Sequence, residues 1–210
     1  MRRRDRAGRC VGGLLALTLL GAALAGCDRS STEAQPQGAT VPTAAPTTTT
    51  TDPYAVPAVI DIAYVNRVLA GLDAVMGDVI RLIVSTRIIP REAADRVRAV
   101  YATDHLLNLT LDGFSQDVAA GLEDYRREPG NRVTKVSQVI EASPSCIFAS
   151  VTTDYSAISA HGGSSSSLSW VALVPRNPSR DPFSFNETGW MLRYDGVQGD
   201  GSAPQTAPCG

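Results

Sequence analysis

Few side chains in this 210-residue chain have the type and spacing for chemistry. The only lysine, Lys135, follows Thr134, so the Gly-Lys-Ser/Thr run that cradles a nucleotide phosphate is missing. Three positions earlier, where a Ser-x-x-Lys pair needs its nucleophile, stands Arg132. His105 and His161 are the only imidazoles, and neither belongs to a Cys or His cluster with zinc-ligand spacing. His161-Gly162-Gly163, running into four serines, has the composition of an oxyanion-binding loop, but no Gly-x-Ser-x-Gly elbow accompanies it, and a flexible connection needs the same residues. Asp104-His105 beside Tyr101 would have to converge for proton transfer, whereas neighbours on a helix point apart. Asp195 and Asp200, with glycines around them, supply too few carboxylates for calcium. No catalytic residue, metal ligand or cofactor is therefore assigned.

The charge balance of 19 basic against 21 acidic residues lacks the concentrated positive surface that nucleic acid requires. What basic character there is crowds the start, at Arg2, Arg3, Arg4, Arg6 and Arg9, and an apolar run from Val11 to Ala25 follows. That layout is a signal peptide, and the run is short for a membrane-spanning helix, which takes about 20 residues. Its end, Leu24-Ala25-Gly26-Cys27, resembles a bacterial lipobox. The resemblance implies diacylglycerol on the Cys27 thiol, cleavage of residues 1–26, and attachment to the extracytoplasmic face of the cell membrane. Cleavage there would take the formal charge from −2 to −6. So acidic a chain gains little from anionic headgroups, which leaves the covalent lipid as the attachment.

From 27 to 53 the lipidated cysteine is followed by Ser, Thr, Pro, Ala and Gln with almost no large apolar residue. Such a stretch cannot bury enough surface to offset its conformational entropy and reads as a disordered tether, its run Thr47–Thr51 being a stalk or plain spacer. Residues 54–210 are long enough for one core. Ile62, Val65, Leu69, Leu72, Met76, Val79 and Ile83 alternate spacings of three and four, which predicts a long helix over about Ala58–Ser85. Pro90 opens a second helix as its first residue, and Asp104 caps a third that carries Leu107, Leu111, Phe114, Val118 and Leu122 and stops at Pro129-Gly130. Beyond Gly130 the helical period vanishes. Four strands are expected: Val133–Ala142 with a bulge near Val136 and Val139, then Ile147–Tyr155, Leu168–Val174 and Trp190–Tyr194, the last ended by an Asp195-Gly196 turn. Helices followed by loop-joined strands give an α+β class, three helices packed on a four-stranded antiparallel sheet. By element order this resembles the NTF2-like, or cystatin-like, superfamily, which implies a long helix across a curved sheet.

Once Cys10 leaves with the signal and Cys27 takes lipid, Cys146 and Cys209 remain, and an even pair outside the cytosol predicts a disulfide. It would hold down the polar tail that begins at about residue 196. Tyr155, Trp170, Trp190 and Tyr194 are placed on strand faces that meet the helices, where they fill the core or line an apolar ligand pocket. Pro175–Gly189 is the longest loop, and loops of that length are functional or disordered. The sequence favours a non-enzymatic surface lipoprotein that binds an envelope protein. The alternatives are a carrier of lipid or a small apolar ligand, and then a small hydrolase or isomerase.

Overall fold

The computed structural model describes residues 52–161, 166–197 and 208–209. Cys27, the signal segment and Asp200 lie outside the described residues. Among the described residues no helix is long and apolar enough to cross a membrane.

Helix α1 spans Ile62–Thr86. Pro57 and the β-branched Val59 and Ile60 disfavour an earlier start, and Asp61 supplies the cap, its carboxylate accepting the Tyr64 amide at 2.8 Å. The helix therefore begins four residues later than its apolar spacing predicts. At its other end Arg87 takes a left-handed conformation, φ 58°, and its amide reaches Ile83 O. Helix α2 is Arg91–Val100. Pro90 is not its first residue: ψ of 158° leaves Pro90 extended, one position before the helix. Helix α3, Asp104–Ala119, is capped by the Thr103 hydroxyl, not by Asp104, which sits in the first turn. It ends well before Pro129, because Gly121 and Leu122 both turn to positive φ and break the helical path. Leu122 nevertheless stays in the core.

Strands β1 (Val133–Ser143), β2 (Cys146–Asp154), β3 (Ser166–Pro175) and β4 (Trp190–Val197) form an antiparallel meander in the order β1-β2-β3-β4. The class is α+β, helices first and strands after. α1 lies against β1 and α2, while α2 and α3 meet β4. Between α2 and α3, Tyr101 makes a single parallel bridge to Leu192, with the Ala102 amide donating to Leu192 O at 2.8 Å.

β1 bulges twice, between Val136 and Gln138 and between Val139 and Glu141, which keeps Val136 and Val139 on the same side of the sheet. Ile147, Ala149 and Val151 of β2 face the helices and are fully buried. β4 carries a bulge at Arg193, since Leu173 pairs with Leu192 but Ala172 pairs with Tyr194. One extra residue reverses the face of everything after it. Trp190 and Leu192 point into the core, whereas Tyr194 shares the far face with Ala172, and Asp195 returns to the helix side beside Val171. The strand also continues through Asp195-Gly196, where a turn is expected.

Candidate functional site

The concavity between α1 and the sheet is where a ligand would sit, and five elements converge on it. α1 contributes Leu69, Leu72 and Asp73; Arg132 and Thr134 come from the start of β1; Thr153 and Tyr155 from the end of β2; Val171 from β3; and Leu192 and Asp195 from β4. Asp73 occupies the middle of the apolar stripe and is only 3% exposed. Arg132 Nε donates to its Oδ1 at 2.6 Å. The Thr134 amide donates to Oδ2 at 2.7 Å and the Thr134 hydroxyl to Oδ1 at 3.1 Å. Thr134 Oγ1 also lies 3.3 Å from Thr153 Oγ1. Oδ1 thus has a charged and a neutral donor and Oδ2 a neutral one, so both oxygens are satisfied, the condition under which a buried ion pair is tolerated.

The surrounding groups bind their protons tightly. Burial alone would lower the Arg132 pKa, but Tyr101, Asp73, Asp195 and Tyr155 outweigh it and push the guanidinium above its ordinary value. Burial raises the Tyr101 phenol against the pull of Arg132. The Asp195 carboxyl is also raised, first by its crowded surroundings and then by Asp73, with Arg132 opposing; the residue stands at the rim, where water reaches it and weakens the effect. The cavity left among these side chains is about 10 Å³. That is the space of one water at most.

α1 also covers part of the sheet edge. Asn66, two helical turns before Asp73, accepts the Val136 amide at 2.8 Å. Side chains of α1 therefore occupy the outward amides of Thr134 and Val136, which protects this part of β1 from pairing with another strand.

The residues expected around one pocket are not together. Tyr155 lines the cavity. Trp190 is buried in the core beneath it, its indole N–H donating to Tyr64 OH at 2.8 Å. Trp170 pairs with Ser150 and Gly196 on the opposite face of the sheet, as Tyr194 does with Ala172, so neither can border a helix-side cavity. Trp170 instead stacks on Phe148 with ring centroids 5.6 Å apart, and its indole N–H is buried without a partner among the described residues. His105 is exposed near the start of α3, and His161 lies 2.8 Å from Asp124 on the surface; neither lines the cavity. Among the described residues no group of His, Cys, Asp and Glu side chains could hold a metal.

Comparison with family models, curated proteins and solved structures gives no match.

The Pro175–Gly189 loop is ordered and built inward. Asp181 accepts the amides of Phe185 and Asn186 at 2.9 and 3.0 Å and the Arg176 guanidinium at 3.2 Å. The Asn186 side-chain amide donates to Ala99 O and Trp190 O at 2.9 and 2.7 Å, tying the loop to the end of α2. On the surface, α1 and α2 enclose an open groove of about 440 Å³ whose charges cancel locally, since Arg96 bonds both Glu92 and Asp78 and Arg81 bonds Asp78. Cys146 and Cys209 are joined, with Cα atoms 5.7 Å apart and 63 positions between them in sequence.

Sequence reasoning passes over Asp73, meets Arg132 only as the residue that excludes a Ser-x-x-Lys pair, and meets Asp181 and Asn186 only as polar residues of the long loop. A signal existed for Asp73 alone: it stands four residues after Leu69 and three before Met76, so it shares their buried stripe.

Proposed function

We propose that this chain is a lipid-anchored envelope protein whose α+β domain is a non-enzymatic interaction module. The observation that carries the reading is the occupied concavity. Where an NTF2-like arrangement of helix over sheet would open a pocket, the Asp73–Arg132 pair and its threonines leave about 10 Å³. A carrier needs space for its cargo, on the order of 300 Å³ for a small organic ligand. The four aromatic residues that would line such a space stand on both sides of the sheet. A hydrolase or isomerase pairing a cavity carboxylate with His105 or His161 is disfavoured, since both histidines are on the surface. The lipobox-like Leu24-Ala25-Gly26-Cys27 and the polar stretch after it supply anchor and reach for a module that works by contact.

Native mass spectrometry of the chain released from membranes tests the reading. The expected species is the acylated polypeptide with no further adduct. A retained apolar molecule that is lost on denaturation would overturn it in favour of the carrier.

A further inference from the structure

The segment that leads into α1 is held in place while its aliphatic side chains face outward. Val59 is 77% exposed, Val56 48% and Ile62 45%. The segment is fixed from behind: Tyr64 OH donates to Tyr54 O at 3.0 Å and itself accepts the buried Trp190 indole N–H, while Ile60 packs against the core. Its two acids are already engaged, the Asp52 carboxylate by the Tyr54 amide and the Asp61 carboxylate by the Tyr64 amide, each at 2.8 Å. No lysine or arginine occurs between residues 52 and 66. The result is an apolar edge without cations, at the end of the domain where the chain arrives from its anchor.

We propose that Val56, Val59 and Ile62 dock this edge on the uncharged interfacial region of the bilayer that holds the Cys27 lipid. The inference rests on the anchored-module reading above. Only 24 residues separate Cys27 from Asp52. A chain of 24 residues spans at most about 80–86 Å, so a lipid on Cys27 keeps the domain at a high effective concentration beside the bilayer. Three aliphatic side chains bind a bilayer weakly from free solution, but an already tethered domain needs no more than a weak contact to rest in one orientation. With a formal charge of −6 from Cys27 onward, the contact gains nothing from anionic headgroups and is expected on zwitterionic lipid.

The test is hydrogen exchange on the chain from Cys27 onward, which retains the whole compact unit Thr48–Gly210. The Cys27 thiol is coupled to phosphatidylcholine vesicles carrying a maleimide lipid, and exchange is compared with that of the free chain. Amides between residues 55 and 63 are expected to exchange about tenfold more slowly when coupled, and the double substitution Val56→Ser/Val59→Ser to abolish the difference, with β2 exchange unchanged as the check on folding. Equal exchange in the coupled and free chains overturns the proposal. So does slowing that survives the double substitution, and so does slowing in the free chain that grows with protein concentration, which would assign the edge to a second copy. Chemical coupling makes the outcome independent of whether cells acylate Cys27, which the mass of the membrane-extracted protein reads separately.

Discussion

At Asp73 a charge has been placed where the helix pattern asks for an apolar side chain, and its value depends on Arg132. Removing one member of a buried pair strands the other, so Asp73→Ala is expected to lower unfolding stability by about 3–5 kcal/mol. Replacing both members with Leu and Met should restore much of that loss, and chemical denaturation of the single and double variants would measure both. Asp195 makes a separate, pH-dependent contribution. Its carboxyl titrates above the ordinary 3.8 because its surroundings favour the neutral form, so the folded protein binds this proton more tightly than the unfolded chain does. The stabilisation is complete below 3.8 and is lost as pH rises through the raised value. Asp195→Asn keeps the neutral form at every pH, and its melting temperature should decline less than that of the parent between about pH 4 and pH 7.

Elements were legible in proportion to how local their signals are. α1 announces itself through seven apolar residues at helical spacing, and β1 through a broken alternation that the two bulges explain. The caps were misread by one residue at Pro90 and Asp104 because neighbouring residues compete for the same role and only the backbone angles decide. β3 misled for a different reason. Ala172 and Leu173 are both fully buried, so the strand is covered on each face and its alternation carries no sign. Nothing local marks Arg193 as a bulge, and that one residue moved Tyr194 across the sheet. The Pro175–Gly189 loop was unreadable because its order comes from bonds to Ala99, some 87 positions away in sequence. Asn186 holds that order with a fully buried amide, and Asn186→Ala should cost about 2–3 kcal/mol, read as a lower denaturation midpoint with an unchanged slope. Asn186→Asp offers a harsher comparison at the same volume, since it replaces the donor to Ala99 and Trp190 with a buried charge.

For the molecule as a whole, the helix-sheet core leaves little room inside, which directs attention to the outer surface. The covalent link from Cys146 to Cys209 adds to that core. Cys209→Ser opens a loop spanning 63 positions and is expected to lower stability by up to about 4 kcal/mol, measured against the parent under non-reducing conditions. The same link also decides how the protein would respond to being pulled. If the chain were gripped at Cys209 while the lipid proposed for Cys27 held its start, tension would enter ahead of α1 and travel along the helices and β1 until it met Cys146. There it passes across the sulfurs to Cys209, bypassing the 63 positions that hold β2, β3, β4 and their connections, which store roughly 200 Å of extensible chain. The helices and β1 can give way under load while three strands stay inside a closed ring, and that ring is a template on which the released segments can refold once the load is gone.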